Sequence, residues 1–244
     1  NEDEKPVSVA SYPQVELPVE IAFRAVAGAT AIDCDAALSN LGTTSASGKI
    51  ADFRFFVHNV RLILDNGEQI PVTLNETAMQ TDNIAMLDFR NKLDNCTGAA
   101  NPNINKKLVG KITLGEGLTG TISKVAFTLG VPFSHNHASQ TSAVGPLKNP
   151  GTASGMAWNW QGGYKFTGLD FVPDTPIQLF DSAGSPSTTS NRWNTHLGST
   201  GCAVTSADLG LGIPATPCAN PNRVDVVLDG FSFGKAVQLD YAEL

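Results

Sequence analysis

The segment Asp52–Leu64, DFRFFVHNVRLIL, is closed by Asp65-Asn66-Gly67 and followed by QIPVTL at Gln69–Leu74. An apolar run rich in Phe and β-branched residues reads as a strand. Asn-Gly between two such runs is the strongest short hairpin signal, because both residues tolerate the positive φ of a two-residue turn. The two runs are therefore read as an antiparallel pair, and the rest of the chain follows the same pattern. Val19–Val26 opens with alternation, and Leu118–Val131 places Val125, Phe127 and Leu129 on one face and Lys124, Ala126 and Thr128 on the other. Tyr164–Phe171, Arg223–Leu228 and Lys235–Tyr241 are further strands of similar length. Short strands separated by turn residues predict an all-β fold, a single antiparallel β-sandwich with long loops. Helix is expected only as a turn or two at Asp82–Phe89 and one turn at Ser206–Leu211. Asn91–Lys107, Ser139–Gly155 and Ser182–Asn194 read as loops, and their length points to function or disorder. No repeat or Pro-rich linker divides the chain, so 18–244 is read as one domain and 1–17 as a flexible extension.

Composition narrows the function. Of 244 residues, 16% are charged and 41% hydrophobic, with 23 Gly and 14 Pro scattered without a period, so the chain is turn-rich but not collagenous. The net charge of −7 comes without a Lys/Arg cluster. Such a chain lacks the counterion release that drives nucleic-acid binding and the polybasic attraction to anionic lipid. No apolar run approaches the roughly 18–20 residues of a membrane-spanning helix.

The four cysteines, Cys34, Cys96, Cys202 and Cys218, form no CxxC or CxC knuckle, which argues against a zinc ribbon or a thioredoxin-type site. In a Gly/Pro-rich chain they read as two disulfides of an exported protein, Cys34–Cys96 and Cys202–Cys218, the second closing a loop worth about 3 kcal/mol. The opening Asn1-Glu2-Asp3-Glu4-Lys5-Pro6 reads as a mature chain from which a signal peptide has been removed. Asn75-Glu76-Thr77 and Asn95-Cys96-Thr97 match the glycosylation sequon, a pattern common by chance.

Chemistry rests on few residues. The histidines are His58, His135, His137 and His196. On an extended strand His135 and His137 would share a face, and two such imidazoles with a third ligand can hold zinc or copper. A loop with two incidental histidines reads the same way. His58 is read as sharing a face with Phe56, Val60 and Leu62, either as a core histidine or as a ligand in an apolar shell. Trp158-Asn159-Trp160 presents two indoles at i, i+2, a core patch or a sugar-binding platform. The chain has no HExxH, no G-x-S-x-G elbow and no Gly-rich phosphate loop, so zinc proteases, α/β-hydrolases and nucleotide-binding enzymes lose support. With paired cysteines and three methionines, a blue-copper site or a methionine-rich carrier is disfavoured, and a metal would be held by nitrogen and oxygen.

Four strings carry a family resemblance. Phe55-Phe56-Val57-His58-Asn59-Val60-Arg61-Leu62 resembles the FYVHDVRL-like strand of the MbnP family, and Gly130-Val131-Pro132-Phe133 with Asn136-His137 is similar to its GVPF-x-x-NH segment. Met156-Ala157-Trp158-Asn159-Trp160-Gln161-Gly162-Gly163-Tyr164-Lys165-Phe166 resembles its MFWSWQGGYKF motif, and His196-Leu197-Gly198-Ser199-Thr200-Gly201-Cys202 matches HLGSTGC. The strings occur in the family's order over about residues 50–230. These are bacterial copper-binding proteins associated with methanobactin genes, related to the copper-repressible surface proteins of methanotrophs.

The resemblance implies a periplasmic or outer-surface protein that is not an enzyme and acts in copper acquisition or homeostasis. Its copper ligands would be His58, His137 and a tryptophan oxidised to kynurenine by a di-haem, MauG-like peroxidase. That tryptophan is assigned as Trp158, with Trp160 as the alternative or as an electron relay. His135, which replaces an ordinary residue of the motif, is carried as an additional candidate ligand, and His196 as a structural residue or one supporting the ligands. Methanobactin or a copper–methanobactin receptor is a further partner. Calcium is a second candidate ion, with Asp33, Asp35 and Asn40 as oxygen donors. The competing readings are a carbohydrate- or surface-binding sandwich using Trp158 and Trp160, and a metal-dependent hydrolase built on three histidines.

Overall fold

The computed structural model describes residues 14–115, 117–159, 161–203 and 216–243. In chain order the strands are β1 (Val15–Ala27), β2 (Thr30–Ala31), β3 (Leu38–Leu41), β4 (Ala46–Leu64), β5 (Gln69–Leu74), β6 (Gln80–Thr81), β7 (Ile84–Asp88), β8 (Lys107–Leu114) and β9 (Ile122–Leu129). They continue with β10 (Thr167–Pro173), β11 (Ile177–Phe180), β12 (Pro186–Ser190), β13 (Trp193–Thr195), β14 (Val224–Asp229) and β15 (Val237–Asp240). A single helical turn, α1 (Phe133–Asn136), follows β9. The expected turn at Ser206–Leu211 lies outside the described residues.

β4 is the spine. β10 runs beside its first half, β7 beside Arg54–His58, and β9 beside Val57–Leu64. The Asn66-Gly67 hairpin returns as β5, which then changes partner: Gln69–Pro71 pair with β4, whereas Val72–Leu74 pair with β8. β5 is thus the corner that carries the chain into a second layer, where β8 pairs with β1 and β1 with β15. All these pairings are antiparallel except β1–β15. The result is the expected sandwich, with Phe23, Phe53, Phe55, Phe89 and Phe127 packed between the layers. Each such ring contributes about 1.5–3 kcal/mol by leaving water.

β4 is buried from Ile50 to Val57 because both of its faces are covered. Phe53, Phe55 and Val57 point into the sandwich core. The opposite face carries Asp52, Arg54, Phe56 and His58. Phe56 anchors a second core of Met79, Ile84, Met86, Val131, Leu147, Met156, Tyr164 and Phe166. Ser139–Gly155, expected as a loop, supplies part of that cover through buried Leu147 and Ala153. Arg54 on the same face forms a bidentate pair with buried Asp52 at 2.7 and 2.5 Å and donates to Ser154 O at 2.8 Å.

Three local expectations are corrected. Asp82–Phe89 is not helical: Asp82 and Asn83 both adopt positive φ (49° and 59°), turning β6 into β7, and Ile84–Asp88 then pair with β4. The 182–194 stretch contains β12 and the start of β13 rather than loop alone. β1 begins at Val15, inside the stretch read as an extension. Both expected disulfides, Cys34–Cys96 and Cys202–Cys218, are present. The first ties the segment after β2 to the segment after β7, and closing so long a loop is worth about 4 kcal/mol in the chain-entropy model.

Candidate metal centre

The four family-like strings are far apart in sequence and meet at one backbone junction. Phe56 N–H donates to Phe166 O at 2.9 Å, Gly130 N–H donates to Phe56 O at 2.8 Å, and Phe166 N–H donates to Leu197 O at 2.6 Å. Strand pairing thereby gathers segments carrying His58, His137, Trp158 and His196 on the outer side of β4.

A bulge follows His58 in β4. Asn59 is left-handed (φ 51°), and the β4–β9 register shifts between His58 and Arg61. The extra residue flips the alternation. His58, ahead of the bulge, keeps the Phe56 face by ordinary alternation, while Val60 and Leu62 beyond it enter the sandwich core, correcting the reading that put all four on one face. Its Nδ1 is 2.8 Å from Gly130 O. A carbonyl only accepts, so Nδ1 carries the proton and Nε2 keeps its lone pair. Burial depresses the His58 pKa below its ordinary value; the Gly130 bond opposes this, and the Arg223 charge adds to it.

His135 and His137 do not share a face. Phe133–Asn136 is helical, and residues two apart on a helix diverge by roughly 200°. His135 is partly exposed, with Nδ1 3.0 Å from Ser134 Oγ and Nε2 3.3 Å from Asp82 Oδ2. His137 is fully buried, with Nε2 3.1 Å from Asn136 Nδ2 and 3.3 Å from Cys218 Sγ, and its ring meets Phe133 edge-on. Among the described residues, one group of three metal-capable side chains has all its ligand atoms within 4.8 Å of one another: His137, Cys202 and Cys218. The two sulfurs are joined as a disulfide.

Asn136 had no assigned role in the sequence reading, yet it connects the loops. Its Oδ1 accepts from Tyr164 N–H at 2.9 Å, and Gly163 lies against it. Gly163 has φ +73°, and a Cβ there would sit 2.5 Å from Asn136 Nδ2, so the position needs glycine on both counts. Trp158 N–H donates to Gly163 O at 3.0 Å. The Trp158 indole packs on Gly198, where a Cβ would come within 2.8 Å of Cη2, yet the side chain remains 44% exposed. Trp160 lies outside the described residues. A cleft of about 620 Å³ opens beside this segment, lined by Asn159, Gln161, Gly162 and 199–203.

His196 begins the string that supports Trp158. Its Nε2 is 2.7 Å from Asp170 Oδ1, and Arg192 Nη2 lies 2.6 Å from the second oxygen of that buried carboxylate. Arg223, also missed in the sequence reading, donates Nε–H to Val131 O at 2.6 Å and stacks over the Phe166 ring. The calcium expectation is not supported. Asp33 Oδ1 accepts from the amides of Asp35 and Ala36, Asp35 is engaged by Lys92 and Asn91, and Asn40 is a left-handed residue at the irregularity within β3.

The fold is thus a disulfide-bonded β-sandwich, with His137 set against Cys202–Cys218 and the Trp158 indole exposed on the loops. The chain belongs to the MbnP family: it matches the family described as MbnP over residues 16–244. The solved structure of MbnP from Methylosinus trichosporium is similar, with a TM-score of 0.74 and 30% sequence identity, covering 93% of this chain and 76% of that chain. Comparison with curated proteins gives no match. The two disulfides suit an oxidising compartment, and among the described residues no helix is long and apolar enough to cross a membrane.

Proposed function

We propose that the protein binds copper through His58, His137 and Trp158, the last after oxidation to kynurenine, and serves copper acquisition or homeostasis in the periplasm or on the outer surface. The observation that carries this reading is His58: a half-buried imidazole with Nδ1 committed to Gly130 O, whose Nε2 keeps its lone pair as a metal ligand requires. His137 is buried at the far end of the segment that begins at Gly130. An indole nitrogen is a poor donor because its lone pair belongs to the ring. Conversion to kynurenine removes one carbon and adds one oxygen, leaving an aryl amine. Two imidazoles and an amine form a neutral nitrogen set of the kind that suits copper.

The fold supports the division of labour. The chain supplies no oxidant, so the oxidation falls to a di-haem, MauG-like peroxidase using peroxide, and the exposure of Trp158 suits contact with such a partner. Methanobactin or its receptor is the counterpart in copper handling. Asp82 engages His135, which leaves His135 outside the proposed ligand set. His58→Ala is expected to abolish tight copper binding, read by competition with a chromophoric chelator; retained affinity would remove His58 from the ligand set. A second reading, a carbohydrate-binding surface at Trp158, draws on the exposed indole beside the amide-lined cleft. A glycan screen tests it, and His58→Ala would leave that binding unchanged.

A further inference from the structure

His137 lies against a disulfide that the copper proposal leaves unused. Cys218 Sγ is 3.3 Å from His137 Nε2, and the ligand atoms of His137, Cys202 and Cys218 all lie within 4.8 Å. Metal–sulfur and metal–nitrogen bonds of about 2.3 and 2.0 Å place trigonal donors roughly 3.5–4 Å apart, so these side chains already occupy the volume of a three-coordinate site. His137 and Cys218 are buried, whereas Cys202 is partly exposed, which gives a thiol reductant a sulfur to attack.

We infer that reduction of Cys202–Cys218 creates a second metal site, His137 with two thiolates, that takes Cu(I). Two soft sulfurs and one imidazole are a donor set that selects Cu(I). With three protein donors it falls short of the four that structural zinc requires. In the step, the Cys202–Cys218 bond breaks as a dithiol reductant supplies two electrons and two protons and closes its own disulfide. Cu(I) then displaces the two cysteine protons as it binds. The site shares His137 with the proposed kynurenine site but needs neither His58 nor Trp158. Oxidised and reduced forms would therefore hold copper in different donor sets.

The test uses the full chain carrying His58→Ala, made without a peroxidase partner, so that the His58-dependent site is absent. The protein is compared oxidised and after dithiol reduction, with thiols counted, excess reductant removed and Cu(I) titrated anaerobically against a chromophoric Cu(I) chelator. The expected result is one Cu(I) per chain bound by the reduced form, at least about tenfold tighter than by the oxidised form. The gain should persist in Cys34→Ser/Cys96→Ser, vanish in Cys202→Ser/Cys218→Ser, and fall about tenfold or more when His137→Ala is added. No gain on reduction, a gain that survives loss of Cys202 and Cys218, or one indifferent to His137→Ala would overturn the proposal. The last outcome also covers a chain that reduction has unfolded, since a bare dithiol would then hold the metal. None of these outcomes bears on copper binding by the oxidised wild-type protein, which tests the kynurenine reading separately.

Discussion

Asn59 decides which face Val60 and Leu62 take beyond His58. Its left-handed conformation supplies the extra residue that flips the parity of β4. Asn tolerates that region and a β-branched residue does not. Asn59→Val should therefore destabilise the fold by about 1–3 kcal/mol and weaken copper binding, whereas Asn59→Gly should retain both; chemical denaturation and copper titration of the two variants check this. His58 itself gives a pH signature. Its folded pKa lies below the unfolded value of 6.5, so as pH falls through that window the unfolded chain binds more protons than the folded one and stability declines. Thermal melting of the copper-free protein from about pH 7 to about pH 5 should show this loss, and His58→Gln should flatten it. The sequence pointed to His58 and His137 but not to their surroundings. Simple alternation could not detect a bulge without a glycine, and the spacing of His135 and His137 carried no sign that Phe133–Asn136 would be helical.

β4 shows why element type was legible where boundaries and partners were not. Its run of Phe, Val, Ile and Leu reads as a strand, and Asn66-Gly67 fixes the hairpin. That β5 splits its pairing between two layers depends on β8, which was not recognised because Gly110 interrupts its alternation. A side chain at Gly110 would strike the backbone of Thr73–Leu74, so the interruption is what lets β5 approach. β7 was mistaken for helix for a related reason. It is buried on both faces, so it lacks the period of two, and its turn uses Asp82-Asn83 rather than a glycine. The second core under the loops rests on Phe56, which packs edge-on against Tyr164 with centroids 5.6 Å apart. Phe56→Ala should cost about 3–5 kcal/mol in denaturant-induced unfolding. A cost below about 1 kcal/mol would mean that the loops hold their positions without that ring.

At the scale of the whole molecule, the spine strand of a two-layer sandwich carries His58, and the loops outside it carry His137 and Trp158. Composition, strand spacing and the isolated cysteines were enough to read the fold class and both disulfide pairings. The convergence of four distant strings was legible only as a resemblance, because it depends on long-range pairing through Phe56, Phe166 and Leu197 that no local pattern encodes. Loop cover over the outer face of β4 explains why a strand that reads as fully buried can carry a candidate metal ligand. Trp158 is 44% exposed whereas His137 is fully buried, and an exposed indole is what contact with the proposed peroxidase requires. Everything in the copper proposal turns on whether Trp158 becomes a ligand by oxidation. The most direct test is intact and peptide mass spectrometry with metal analysis on protein from its native host and from that host lacking the peroxidase. Loss of one carbon and gain of one oxygen on Trp158, together with bound copper, are expected only when the peroxidase is present. An unmodified, copper-free protein from the intact native host would contradict the copper proposal.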